Sequence, residues 1–325
     1  MASAKSPSGY HLAKTVKIGG EGGWDYLIVD EIARRIYVSH ATKVHVLDAD
    51  TLAIFGEIPN TEGVHGIAIA SEFGKGYTSN GRTNNVTVFD LKMLKVLGQV
   101  AVGENPDSIR YDPFSKKVFT FNGRSHDSSV IDAATGKVVA RIPLGGKVEF
   151  AQTDGKGRVY VNNEDKSEVD VIDSKTLKLI AQWPIAPGEA PTGLALDNKN
   201  HRLFSVTRNK FMIVLDADNG HILDSLPIGA GCDGAGFDPE TLFAFASNGG
   251  DGTLTIVHEE SPTVFKVLDT VETKRGARTM TVDLKTHAVF LPTADFGPTP
   301  QPTAEQPRPR PVAIPDTFVL LQFQN

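Results

Sequence analysis

Seven polar or charged side chains recur along this chain at near-even intervals: Asp25, His65, Asp107, Glu149, Thr192, Asp233 and Arg278, separated by 40, 42, 42, 43, 41 and 45 residues. Gathered at one place they would hold carboxylates, an imidazole and a guanidinium, enough for acid–base work on a polar substrate. In that reading Glu149 serves as base, His65 as acid or base, and Arg278 as the clamp for an anion. The plainer reading is that these residues cap turns and face water, since Asp and Thr are ordinary turn residues. The catalytic reading requires a fold that brings stretches 40 residues apart to one opening.

A second set closes the strand that follows each of these positions: His40, Asn80, Asn122, Asn163, Thr207, Asn248 and Thr293. Two neighbouring units repeat one motif there, Asn80-Gly81-Arg82 and Asn122-Gly123-Arg124. Either these are solvated turns, or their arginines hold a carboxylate or phosphate through forked hydrogen bonds. Trp24 stands beside Asp25, placed to stack on a ligand or to plug a channel. The expected ligand contacts are therefore Trp24, Asp25, Asn80, Arg82, Asp107, Asn122, Arg124, Asn163, Asp233 and Asn248. A metal site is a further expectation. His40, His65 and His126 fall in three consecutive units and, with Glu149, form a donor set for zinc or copper, while the Asp and Asn ring would suit calcium. No short His spacing supports the set, so its members would have to converge across units.

The element that positions these residues is a repeat of about 42 residues. Each unit opens with a short strand ending near Asp, as in Tyr111-Asp112. A second strand follows, such as Lys117 to Phe121, then a third ending in Asp, such as Val130-Ile131-Asp132, then a fourth, such as Val138 to Ile142. Short β-branched runs between Asp, Gly, Asn and Pro mark antiparallel meanders. Four strands per unit and seven units predict an all-β, seven-bladed β-propeller with four-stranded antiparallel blades. The last unit has only three strands, and the run from Tyr10 to Gly19 resembles a fourth strand. The N-terminal strand is therefore expected to complete blade seven and close the ring. The Asp ending each third strand precedes a turn and is read as bonding that turn's backbone.

The unit, x-Pro-x-Gly-x-Ala-x-Asp, then Val-Tyr-Val-x-Asn, then Val-x-Val-Ile-Asp-x-x-Thr-x-Lys, resembles the YVTN-repeat (YncE-like) β-propellers over roughly residues 10 to 323. That resemblance implies a seven-bladed propeller, commonly exported to the periplasm or surface, with binding roles. One such protein binds single-stranded DNA. This chain departs from that role, because it is acidic and has no basic-aromatic stripe.

Net charge is −6, which argues against a nucleic-acid partner, since neutralising phosphates needs a concentrated basic face. No run of 18 apolar residues occurs, so no spanning helix is expected. Cys232 is the sole cysteine, and no intrachain disulfide can form. Residues 1–9 are expected to be disordered and residues 10–325 to form one domain. The start has no apolar h-region, which leaves periplasmic, secreted and cytoplasmic settings open. Seven prolines between Phe296 and Pro315 predict an extended loop inserted in blade seven, either a lid or protein-docking arm or an inert strap. A ring without free edges gives no reason to expect obligate assembly, so a monomer is expected. Three functions follow: binding of a small anionic ligand or partner at the channel mouth; a hydrolase or lactonase, with or without metal, using His65 and Glu149; or a structural interaction module.

Overall fold

The computed structural model describes residues 6–301, 303 and 311–325. Seven four-stranded antiparallel sheets succeed one another along the chain. The innermost strands are Trp24–Asp30, Val64–Ala70, Pro106–Asp112, Val148–Thr153, Pro191–Asp197 and Cys232–Asp238, with a short Thr281–Val282 in blade seven. In blade seven the order from the axis outward is Thr281–Val282, Val289–Thr293, Val319–Gln324 and His11–Lys17. The expected closure by the N-terminal strand is thus present. Tyr10 anchors it: the ring is buried against Phe245, and its hydroxyl donates to the carbonyl of His287 at 2.6 Å.

Alternation along the strands builds the core. In blade three Val118, Phe119, Phe121, Val130 and Ile131 are fully buried and pack onto the flanking blades. Such interdigitation of sheet faces is the main source of stability for this architecture. The strand-three aspartates do what their sequence position indicates. Asp48, Asp90, Asp132 and Asp173 each accept backbone N–H bonds from the following turn, and left-handed Leu52, Leu94, Gly136 and Leu177 complete those turns.

The seam between blades seven and one is stapled near both ends. On the mouth side, Arg278 donates to the Trp24 carbonyl from both terminal nitrogens, each at 3.0 Å. On the far side, Arg34 forks onto Asp283 at 2.7 and 2.6 Å.

The start of the chain and the Pro-rich insertion are more ordered at their bases than the sequence indicates. The start is held from Ser6 onward, with Ser6 and Ser8 donating to Asp269, so disorder does not extend to residue 9; residues 1–5 lie outside the described residues. The Pro-rich insertion has a paired base, where Gly297 N–H meets the Val312 carbonyl at 2.9 Å and Ile314 N–H meets that of Asp295 at 2.8 Å. Its residues 302 and 304–310 lie outside the described residues. Among the described residues, no helix is long and apolar enough to cross a membrane.

Candidate functional site

The innermost strands of blades one to five enter the ring irregularly. The register with strand two shifts between Trp24 and Leu27, Val64 and Ile67, Pro106 and Ile109, Val148 and Ala151, and Pro191 and Leu194. A bulge re-aims the side chains it contains, and here it turns the second residue of the strand toward the axis. Polar side chains from strand two take up the backbone groups the bulge releases: Ser39 Oγ accepts from Asp25 N–H at 2.9 Å, and Asn162 donates to the carbonyls of Thr192 and Gly193.

Asp25, His65, Asp107, Glu149, Asp233 and Arg278 consequently meet at one opening. His65 Nδ1 lies 2.5 Å from Asp25 Oδ2 and 3.7 Å from Asp107 Oδ1. The other Asp25 oxygen receives Arg278 at 3.2 Å, and Arg278 Nε reaches Asp233 at 3.0 Å. Opposite, Lys147 bonds both Glu149 and Glu164, and Arg208 Nε binds Glu164 at 2.6 Å. Thr192 is the exception in the ring: its buried hydroxyl donates to the Cys232 carbonyl of the next blade at 2.9 Å.

Beneath the ring, Tyr26 of blade one and Phe150 of blade four touch with centroids 4.8 Å apart. Blades one and four stand across the axis from each other, so this contact floors the mouth. Arg110 lies over the Phe150 ring at 4.1 Å. The plug is therefore Tyr26 and Phe150. Trp24 instead packs beside the seam against Phe296 and Phe318. It borders a cleft of about 440 Å³ formed with Arg278, Phe296 and Pro311 to Ala313, the last from the far end of the Pro-rich insertion.

Burial sets the protonation of the ring. Asp107 is 8% exposed; burial, with Asp25 and Asp233 adding to it, pushes its carboxyl up to about 6 despite His65. Burial also drives Glu149 well above the ordinary carboxylate value, reinforced by Asp107. Asp233 rises for the same first reason. At Asp25 burial is outweighed by Arg278 and His65, and its pKa falls. For His65, burial opposes the charge, but Asp107 and Asp25 overcome it and hold the imidazolium up to about 9. Strongly perturbed groups clustered in a cleft mark candidate functional sites and structural ion-pair networks alike.

Several expected contacts lie elsewhere. The amides of Asn80, Asn122, Asn163 and Asn248 are fully buried and donate to strand-three side chains: Thr87, Ser129, Asp170 and Thr255. They tie strand two to strand three, with all four side chains enclosed within their blades rather than open to the mouth. The metal set His40, His65, His126 and Glu149 does not assemble. His40 is 3% exposed, stacked on Phe318 at 4.1 Å and 3.2 Å from His45. His126 is the exposed left-handed residue (φ 57°) before strand three, the place held by Asn84 in blade two. Among the described residues, the trio that does converge is Asp25, His65 and Asp107, with donor atoms all within 4.8 Å of one another.

Arg82 and Arg124 are exposed at the rim, with no ion-pair partner among the described residues. Of the glycines before them, Gly81 is there for clearance, since a Cβ would stand 2.6 Å from His65 Nε2; one on Gly123 would meet only ordinary contacts, the nearest 3.5 Å away at Asn105 Nδ2. Lys147 is the central residue that sequence reasoning missed; its signal was its place two residues before Glu149, inside the loop that enters blade four.

No protein-family model and no curated protein matches this chain. Among solved structures it is similar to the Kuenenia stuttgartiensis hydrazine synthase, with a TM-score of 0.73 at 15% identity over 83% of this chain and 92% of that one. At that identity the likeness is one of fold, and with the seven sheets and their closure it identifies the chain as a seven-bladed β-propeller.

Proposed function

We propose that this propeller binds a small anionic ligand at the mouth of its channel, held at the rim by Arg82 and Arg124. The carrying observation is the contrast between the two layers of cations. Arg278, Lys147 and Arg208 are occupied by ring carboxylates, whereas the two rim guanidiniums stand exposed in adjacent blades. Free planar donors of this kind recognise carboxylate and phosphate through paired hydrogen bonds. The test is calorimetric titration of inorganic phosphate and of small di- and tricarboxylates into the full chain. Binding by the parent and at least about tenfold weaker binding by the Arg82→Ala/Arg124→Ala double variant are expected, the loss of one charge-assisted contact being about 1.5–3 kcal/mol. A parent that binds none of the panel, or a double variant that binds equally well, defeats the reading.

The hydrolase or lactonase reading has one observation in its favour, the bond from His65 Nδ1 to Asp25 that orients the imidazole. Glu149 fits it less well as a base, because it is tied to Lys147 and its proton is held firmly. The repeat pattern favours kinship with YVTN-repeat propellers, and with it a periplasmic or secreted setting and a monomeric ring. Of the docking arm at 296–315, residues 302 and 304–310 lie outside those described.

A further inference from the structure

The inner ring carries five carboxylates, Asp25, Asp107, Glu149, Glu164 and Asp233, against three permanent cations, Lys147, Arg208 and Arg278. Below the rim arginines, Asp25 and Asp107 face the His65 imidazole from the two neighbouring blades. We propose that Asp25, His65 and Asp107 form a binding site for a divalent transition-metal ion, with its remaining coordination positions open to the channel mouth.

Three observations carry this. The donor atoms Asp25 Oδ2, His65 Nδ1 and Asp107 Oδ1 come from three adjacent blades and lie within 4.8 Å of one another. Small side-chain movements bring all three to the roughly 2.0–2.2 Å that a zinc-class ion requires. Next, Asp107 Oδ1 is buried without a hydrogen bond and stands 3.7 Å from His65 Nδ1. A buried carboxylate oxygen left this way is costly unless something else occupies its lone pair. Finally, the donors are already supported from outside. Arg278 holds the second oxygen of Asp25, and Gly81 lies flush against the far side of the His65 ring. Such outer contacts fix ligand orientation in metal sites.

The donor set selects the class of ion. One imidazole and two carboxylates suit Zn²⁺, Mn²⁺ and their neighbours. Calcium takes six to eight oxygens, and the buried Asn amides cannot complete such a shell. Arg82 follows Gly81 directly, so the loop that backs the His65 ring also carries a rim arginine. The inference rests on the anion-binding reading only for what the ion would do, and metal binding itself is measured without any anion.

The experiment strips the full-length protein with a chelator, titrates Zn²⁺ and Mn²⁺ separately by calorimetry, and counts retained metal after desalting. One ion per chain is expected. His65→Gln and Asp107→Asn should each weaken binding at least about tenfold, the smallest loss seen when even the outer support of a metal site is removed. Asp218→Asn, on the opposite face, should bind as the parent does. Because Asp107 is buried and its variant can lose structure, Mn²⁺ is also added to isotope-labelled parent protein. The backbone amide signals of Asp25, His65 and Asp107 should broaden ahead of that of Asp218. Absence of a stoichiometric ion, broadening centred elsewhere, or parent-like binding by His65→Gln overturns the proposal. Anion binding by parent protein that takes up no metal overturns it while leaving the rim reading intact.

Discussion

Replacing Arg34 by methionine tests how the ring is held shut. Arg34 in blade one forks onto Asp283 in blade seven at 2.7 and 2.6 Å, and also pairs with Glu31 and Asp50. Asp283 has a fully buried side chain and keeps Thr286 Oγ1 and Lys285 N–H as donors once the guanidinium is gone, with the Glu31 carboxyl beside it. Removing one partner of a buried pair costs about 3–5 kcal/mol, because the remaining charge is stranded. The two surviving donors place the expectation near about 3 kcal/mol. Burial works against ionisation of Asp283, but Arg34 and Thr286 prevail and hold its pKa far below the usual carboxylate value. A depressed acid contributes stability that is present above the unfolded value of about 3.9 and lost as pH falls through the folded one. The gap between Arg34→Met and parent should therefore be full at pH 7 and shrink below about pH 4. Urea denaturation at pH 7 and pH 3.5 measures both, with unfolding midpoints compared because a chain of this size need not unfold in two states. Adding Asp283→Asn to Arg34→Met should recover part of the loss, since no bare charge then remains. A loss under about 1 kcal/mol at pH 7, or an equal loss at both pH values, would refute the reasoning.

Two further outcomes follow from the same geometry. Gly81→Ala places a Cβ 2.6 Å from His65 Nε2; overpacking of about 1–3 kcal/mol is expected, with weakened metal and anion binding by calorimetry, and unchanged stability together with unchanged binding would show that the mouth is not as tight as described. Burial, with His45 adding to it, lowers the His40 pKa from 6.5 to about 4. A base with a depressed folded value leaves stability intact above about pH 6.5 and erodes it as pH falls toward 4, by the order of 3 kcal/mol. Thermal melts of parent and His40→Phe over that range should diverge in slope, and parallel curves would remove His40 as the cause.

The ring of Asp25, His65, Asp107, Glu149, Asp233 and Arg278 was legible before any coordinates, because the repeat spacing assigns each to the same place in its blade. The Asn ring was misread for an equally definite reason. A residue closing strand two can point to the funnel or along the sheet. Thr87, Ser129, Asp170 and Thr255 on strand three, seven residues further on, supply the partners that turn Asn80, Asn122, Asn163 and Asn248 into the sheet. His126 was read as a ligand when its φ of 57° marks it as the turn residue before strand three. Lys147 went unnoticed since it lies in an inter-blade loop where the repeat assigns no side-chain direction.

The sequence by itself determined the number of blades, the strands within them, the closure by residues 11–17 and six of the side chains at the mouth. Those properties follow from local periodicity and from the need to leave no open sheet edge. The tertiary structure alone decided which of those side chains pair. Ion pairs such as Arg278 with Asp25, and the meeting of Asp25, His65 and Asp107, join residues from different blades. Their spacing is set to tenths of an ångström by bulges and blade packing that no single repeat encodes.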